Sequence, residues 1–300
     1  MTVGRRSRPT KPLCMANLKE IRNRIASVSS TMQITSAMKM VSAAKLKKAQ
    51  DAITAMRPYS EKLTALLAAL NESIETSDVR QYAEERPVEK VLLVAITSNR
   101  GLCGAFNTNV VKQTLALAEQ TYAGKQVHVA AIGKKAQDVL SKRLPVVANH
   151  SKIFDQLDFE GVSVIAQDLM DLYADGAYDR IVLIYNQFKN AATQIVQTEQ
   201  FLPLAPVAQS VSGSADYIFE PNKEEIVNFL VPKALKTQLY KGIRDSFASE
   251  HGARMTAMHK ATDNATALRN QLKLTYNKAR QAAITNEILE IVGGAEALNG

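Results

Sequence analysis

The 300-residue sequence predicts an α/β protein in which a long antiparallel two-helix coiled coil, built from the N- and C-terminal segments, carries an inserted α/β domain. Three observations lead there. Residues 233–292 contain no proline and read as one helix of roughly 90 Å at the usual rise per residue. Residues 17–57 contain neither glycine nor proline and place Leu18, Ile21, Ile25, Val28 and Met32 at 3-4-3-4 spacing, the signature of a coiled-coil seam. From residue 87 onward, β-branched apolar runs alternate with helical stretches. Helices average about 11–12 residues, so one as long as the C-terminal run needs a partner along most of its length. The N-terminal run, roughly 60 Å long, is that partner.

In chain order, residues 1–14 carry Arg5, Arg6, Arg8 and Lys11 with two prolines and no acid, and read as a disordered basic arm. Residues 15–70 form the first coiled-coil helix. Asn17 is its N-cap with Glu20 three residues on. The seam is expected to slip after Met32, with Met38, Val41 and Ala44 forming the next stripe, and Pro58 to kink or break the helix. A loop spans 71–85. The inserted domain covers 86–205: strands at 88–97, 126–132, 146–147, 179–185 and 192–202, and helices at 105–121, 134–142 and 162–173. Such alternation describes a Rossmann-like sheet. Residues 206–231 are a linker, with a short strand at 217–219 and a short helix at 221–230. The last helix runs over 232–300, with Pro232 in its first turn, where proline is tolerated.

Composition narrows the function. Tryptophan is absent and aromatic residues make up 6% of the chain, which favours close helix contacts over a large aromatic pocket. The net charge of +8 asks for an anionic neighbour: nucleic acid, a membrane surface or an acidic protein. Lys19, Arg22, Arg24, Lys39, Lys45, Lys47 and Lys48 on the first helix face only Glu20 and Asp51, which tilts the choice to an acidic protein. Cys14 and Cys103 give neither metal spacing nor a disulfide framework. No apolar run approaches the roughly 20 residues that span a bilayer.

A catalytic constellation is not expected. Gly101-Leu-Cys-Gly104 follows a strand and precedes a helix, the position of a dinucleotide loop, yet lacks its glycine spacing; a tight structural loop is the default. Gly133-Lys-Lys135 is a weaker signal. Cys103 has no patterned histidine partner among His128, His150, His251 and His259. His251 and His259 are eight residues apart, without the spacing of a metal pair. Glu224 and Glu225 suit a helix N-terminus. No cofactor or metal is expected. A nucleic-acid-binding coiled coil is the rival from another class, and would show salt-sensitive binding.

Ile284-Thr-Asn-Glu-Ile-Leu-Glu-Ile-Val-Gly-Gly-Ala-Glu-Ala297 resembles the C-terminal signature of the gamma-subunit family of F-type ATP synthases, on Ile284, Thr285, Glu287, Glu290, Gly294 and Ala295. Ile21-Arg-Asn-Arg-Ile-Ala-Ser-Val28, Ile34-Thr-Ser-Ala-Met-Lys-Met-Val-Ser-Ala-Ala-Lys-Leu46 and Ser98-Asn-Arg-Gly-Leu-Cys-Gly-Ala-Phe-Asn107 resemble the same family. Ala261-Thr-Asp-Asn-Ala265 and Tyr276-Asn-Lys-Ala-Arg-Gln-Ala282 extend the match from about residue 15 to the C-terminus.

The resemblance implies a non-catalytic rotor. Its terminal helices would form an asymmetric shaft within a hexamer of alternating alpha and beta subunits. The inserted domain would form a foot on the c-ring beside the epsilon subunit, with delta a further neighbour. Proton or sodium flow would turn the shaft and drive ATP synthesis in the beta subunits; the shaft would also regulate ATPase activity and ion flow. Arg280, Gln281 and Thr285 match family residues that bond to a beta-subunit loop, and Met38 matches the methionine opposite it. The small residues Ala279, Ala282, Ala283, Gly293, Gly294 and Ala295 suit a smooth bearing. The resemblance further implies a peripheral protein on the cytoplasmic side of a bacterial plasma membrane, without direct membrane insertion, nucleic-acid binding or the cysteine pair of chloroplast members.

Overall fold

The computed structural model describes residues 18–69, 78–204, 220 and 222–299. The basic arm, Asn17, residues 71–77 of the expected loop and the strand expected at 217–219 lie outside the described residues; the rest of that loop holds a short 3-10 helix, Asp78–Tyr82. Helix α1 (Leu18–Ala69) leads to β1 (Lys90–Ile96), α2 (Phe106–Ala116), β2 (Gln126–Ile132), α3 (Lys134–Leu140), β3 (Val146–Asn149), α4 (Phe159–Ala174), β4 (Arg180–Phe188), β5 (Gln194–Leu202) and α5 (Lys223–Asn299). The chain divides into two compact units, one of Met1–Ala37 with His259–Gly300, the other of Met38–Met258.

In the first unit the helices pair antiparallel. Arg22 Nη2 donates to Tyr276 Oη at 3.0 Å, Thr266 Oγ1 lies 3.4 Å from Met32 Sδ, and the Thr35 and Thr262 hydroxyls lie 2.9 Å apart. As the first residue number rises the second falls, which is the register of opposed helices. Along α1 the inward positions are 18, 21, 25, 28, 32, 35, 39, 42, 46, 49 and 53. The expected slip after Met32 is therefore corrected. The 3-4 spacing continues, but polar Thr35, Lys39 and Ser42 occupy it, while Val41 is 57% exposed and Ala44 points outward. Apolar periodicity alone had no access to those polar seam positions.

Two further boundaries differ. Pro58 lies inside α1, which continues to Ala69 without a break. The final helix begins at Lys223, not at 232, and absorbs the separate short helix expected at 221–230. Asn222 explains the start: its side-chain oxygen accepts the Glu225 N–H at 2.8 Å and its amide donates to the Glu225 carboxylate at 2.9 Å. Pro232 costs about 3 kcal/mol inside a helix. Val227, Val231, Leu235, Leu239 and Ile243 are buried to within 1% on the face that runs past it. Burying such side chains fully contributes about 1.5–3 kcal/mol each, which outweighs the proline.

The second unit is organised by a five-stranded sheet of order β3-β2-β1-β4-β5. Strands β1 to β4 are parallel and β5 runs antiparallel on β4. Burial on both faces explains the near-continuous apolar runs of β1, β2 and β4. One face packs α4 and the early part of α5 through Leu92, Val94, Ile96, Leu169, Met170, Tyr173, Leu235 and Leu239. The other packs α2 and α3 through Leu93, Ala95, Val110, Ala131, Ala136 and Leu140. Helix α4 starts three residues before its expected position because the Asp158 carboxylate caps it, accepting the Gly161 N–H at 2.8 Å. Helix α2 ends in a wider π turn, Leu117–Thr121.

Candidate functional site

The crevice beyond the carboxyl ends of β1 and β4 is where parallel sheets of this order receive ligands. The β1 end is the loop at 98–104. Asn107 organises it: its side-chain oxygen accepts from Ser98 N–H and Ser98 Oγ, both at 3.0 Å. The Asn107 amide donates to Cys103 Sγ at 3.1 Å. Cys103 is buried, and burial pushes its thiol up. A buried, protonated thiol beside an asparagine is a poor nucleophile. On the adjoining strand end, Gly133 takes φ 116° directly below the Thr97 carbonyl, and Thr97 Oγ1 accepts the Ala136 N–H at 2.8 Å.

Helix α5 packs on these strand ends. Ser249 Oγ donates to Asn186 O at 3.0 Å and Thr256 Oγ1 to Ala191 O at 3.1 Å. Arg254 Nη2 donates to Arg100 O and Gly101 O at 3.2 Å each. Arg254 is itself fixed by Glu250, its Nη1 lying 2.6 Å from the carboxylate. Burial pushes the Glu250 carboxyl up, and the guanidinium pulls the other way. His251 is buried edge-on against the Phe247 ring with centroids 4.5 Å apart. Burial, with Arg254 and Lys45, pushes its pKa down to about 4, so it is neutral at pH 7. The position open to a dinucleotide in other folds of this order is thus packed by the protein's own helix.

The residues singled out from sequence at the far end of α5 have the opposite environment. Arg280, Gln281, Ile284, Thr285, Glu287, Glu290, Gly294 and Ala295 are all exposed. Thr285 Oγ1 donates to Gln281 O at 2.9 Å, a bond within the helix. Ile288, Leu289, Ile291 and Val292 are 51–66% exposed. A run of large apolar side chains on open helix marks an interaction surface. Met38 is half-buried in the second unit, followed by Met40 at 64% exposure; Arg280, Gln281 and Thr285 stand together in the first.

The ATP synthase family profile matches residues 17–298. An ATP synthase gamma chain of Flavobacterium johnsoniae is 75% identical over 287 residues, covering 95% of this chain and 100% of that one. The gamma chain of Cytophaga hutchinsonii is 54% identical, again over 95% of this chain and all of its own.

The chain belongs to the ATP synthase gamma-chain family.

Gamma-chain likeness extends to solved structures. A central stalk and c-ring structure of the Tetrahymena thermophila mitochondrial ATP synthase contains a chain 26% identical, with TM-score 0.55, covering 76% of this chain and 99% of that one. A Euglena gracilis mitochondrial ATP synthase chain, 22% identical with TM-score 0.68 over 94% of each, shares the fold. The gamma chain is the central stalk of a membrane-associated rotary assembly, and among the described residues no helix is long and apolar enough to cross a membrane. Sequence reading missed Glu250 and Arg254. Their signal is a charged i, i+4 pair set among Ala248, Ser249, Gly252 and Ala253, small residues that mark tight helix packing.

Proposed function

We propose that this gamma chain is the rotating shaft itself, a non-catalytic subunit that carries rotation of a c-ring to the catalytic beta subunits. The observation that carries the reading is the changing environment of α5: buried on nearly all sides through 231–258, paired on one face to about residue 279, then bare from 280. A helix built this way has a seated end and a presented end. The presented end offers apolar Ile288, Leu289, Ile291 and Val292 beside polar Arg280, Gln281 and Thr285, suited to a sleeve that grips at a few places and slides elsewhere.

A shaft biases a catalytic site only by contacting its conformations unequally. Arg280, Gln281 and Thr285 supply directional bonds to a beta-subunit loop, and Met38 an apolar contact opposite it. Alpha and beta subunits form the sleeve; epsilon and the c-ring meet the α/β domain, with delta elsewhere in the complex. Ion flow, of protons or sodium, turns the shaft for synthesis, and the same contacts regulate ATPase activity and ion leak. The setting is the cytoplasmic face of a bacterial plasma membrane, peripheral to the bilayer.

Reconstitution of the full chain with alpha and beta subunits tests this. ATPase activity with unidirectional rotation of a probe on the α/β domain is expected. A stoichiometric complex that hydrolyses ATP while the probe stays still overturns the reading.

A further inference from the structure

A shaft delivers torque from its foot only if the foot cannot turn about the helix. Resting on the rotor reading, we infer that residues 249–256 of α5 are a torsional lock that fixes the α/β domain to the shaft helix, with Ser249, Arg254 and Thr256 as its positioning residues. At 3.6 residues per turn, Ser249 and Thr256 share one side of α5, and Arg254 lies about 140° away around the axis. On one side, Ser249 and Thr256 hold the carbonyls of Asn186 and Ala191, at the end of β4 and the turn after it. On the other, Arg254 holds the carbonyls of Arg100 and Gly101, in the loop after β1. A twist of the helix that relaxes one set stretches the other.

The space between them is closed as well. A Cβ at Gly252 would stand 3.2 Å from both the Cα and the carbonyl oxygen of Ala191, so helix and turn meet with no room for a side chain. Gly242, ten residues earlier, lies against the Tyr185 ring with space for a methyl group, a Cβ there standing 3.5 Å from the ring at ordinary contact distance. Glu250, buried beside Arg254, takes Nη1 at 2.6 Å, while Nη2 is left to the carbonyls of Arg100 and Gly101. Loss of either charge would leave the other buried and uncompensated, so the pair holds the guanidinium at the loop carbonyls.

The test uses the complete complex reconstituted in vesicles. Removing one charge alone leaves the other buried and unpaired, so the variants are Glu250→Gln with Arg254→Gln, and separately Ser249→Ala with Thr256→Ala. Both are expected to assemble at wild-type stoichiometry and retain ATP hydrolysis, while ATP-driven ion pumping falls at least about fivefold per ATP consumed. The angular fluctuation of a bead on the α/β domain should widen, and Arg254→Lys, which keeps a donor and the charge, should recover part of the loss. Pumping and hydrolysis falling in parallel with loss of subunits would make these residues merely structural and overturn the lock. Unchanged pumping per ATP overturns it too. A wild-type complex that hydrolyses but does not pump overturns the rotor reading, and the lock with it.

Discussion

Thr35 and Thr262 place their hydroxyl oxygens 2.9 Å apart across the helix pair, although 227 residues separate them in the chain. Thr35 also donates toward Thr31 O at 3.0 Å, so its hydroxyl is embedded in a small polar network at a seam position. Apolar seam residues tolerate sliding by a turn; a hydrogen-bonded pair does not. Thr35→Val alone should cost about 1 kcal/mol, and Thr35→Val with Thr262→Val less than the sum of the singles. Urea unfolding in a double-mutant cycle reads the difference. Strict additivity would show that the pair does not set register.

Gly133 should resist substitution. Its φ of 116° disfavours any side chain, and a Cβ would overlap the Thr97 carbonyl. Gly133→Ala is expected to destabilise the protein by about 3 kcal/mol, visible as a lowered melting temperature, whereas Gly101→Ala, with open space around it, should cost far less.

His251 makes stability depend on acid. Its ordinary pKa of 6.5 falls to about 4 in the fold. Between those values the unfolded chain holds a proton that the native chain does not, so stability declines as pH falls through the window and levels off below it. The total loss is about 3 kcal/mol at roughly 1.4 kcal/mol per unit. Groups facing His251 are Phe247, Arg254 and Lys45, and the two cations oppose its protonation. In His251→Leu the decline between pH 6.5 and 4 should shrink by about that amount in full-length chain unfolded with denaturant at stepped pH; an unaltered pH profile would remove His251 from the account.

The tip residues should separate function from stability. Arg280 and Gln281 are exposed, and exposed substitutions usually change stability by less than about 0.5 kcal/mol. Arg280→Ala with Gln281→Ala should therefore leave melting of the free chain unaltered and reduce ATP synthesis by the assembled complex. Wild-type synthesis would sink their assignment as beta-subunit contacts.

Helix and strand identities were legible where apolar spacing carried them. The runs in β1, β2 and β4 are apolar because both faces are covered, and the early seam of α1 repeats cleanly. What escaped was encoded in polar or cyclic side chains whose role depends on a distant partner. Thr35 and Ser42 look like surface residues until the opposite helix is present. Pro232 reads as a boundary until the burial of Val227 and Val231 is seen to carry the helix through it. Glu250 and Arg254 resemble an ordinary helix-surface pair, and only the loop at 98–104 reveals them as buried. The C-terminal motif was readable as a sequence, but its exposure over residues 284–296 was not.

The bare end of α5 bears on how the protein must be made. Ile288, Leu289, Ile291 and Val292 have no cover within the described chain, and such a segment is an aggregation hazard while it waits. On the proposed rotor reading, synthesis in excess of the surrounding subunits would feed precipitation or proteolysis, and matched production would be a folding requirement as much as a matter of stoichiometry. On that reading the sleeve would act as a chaperone that never leaves.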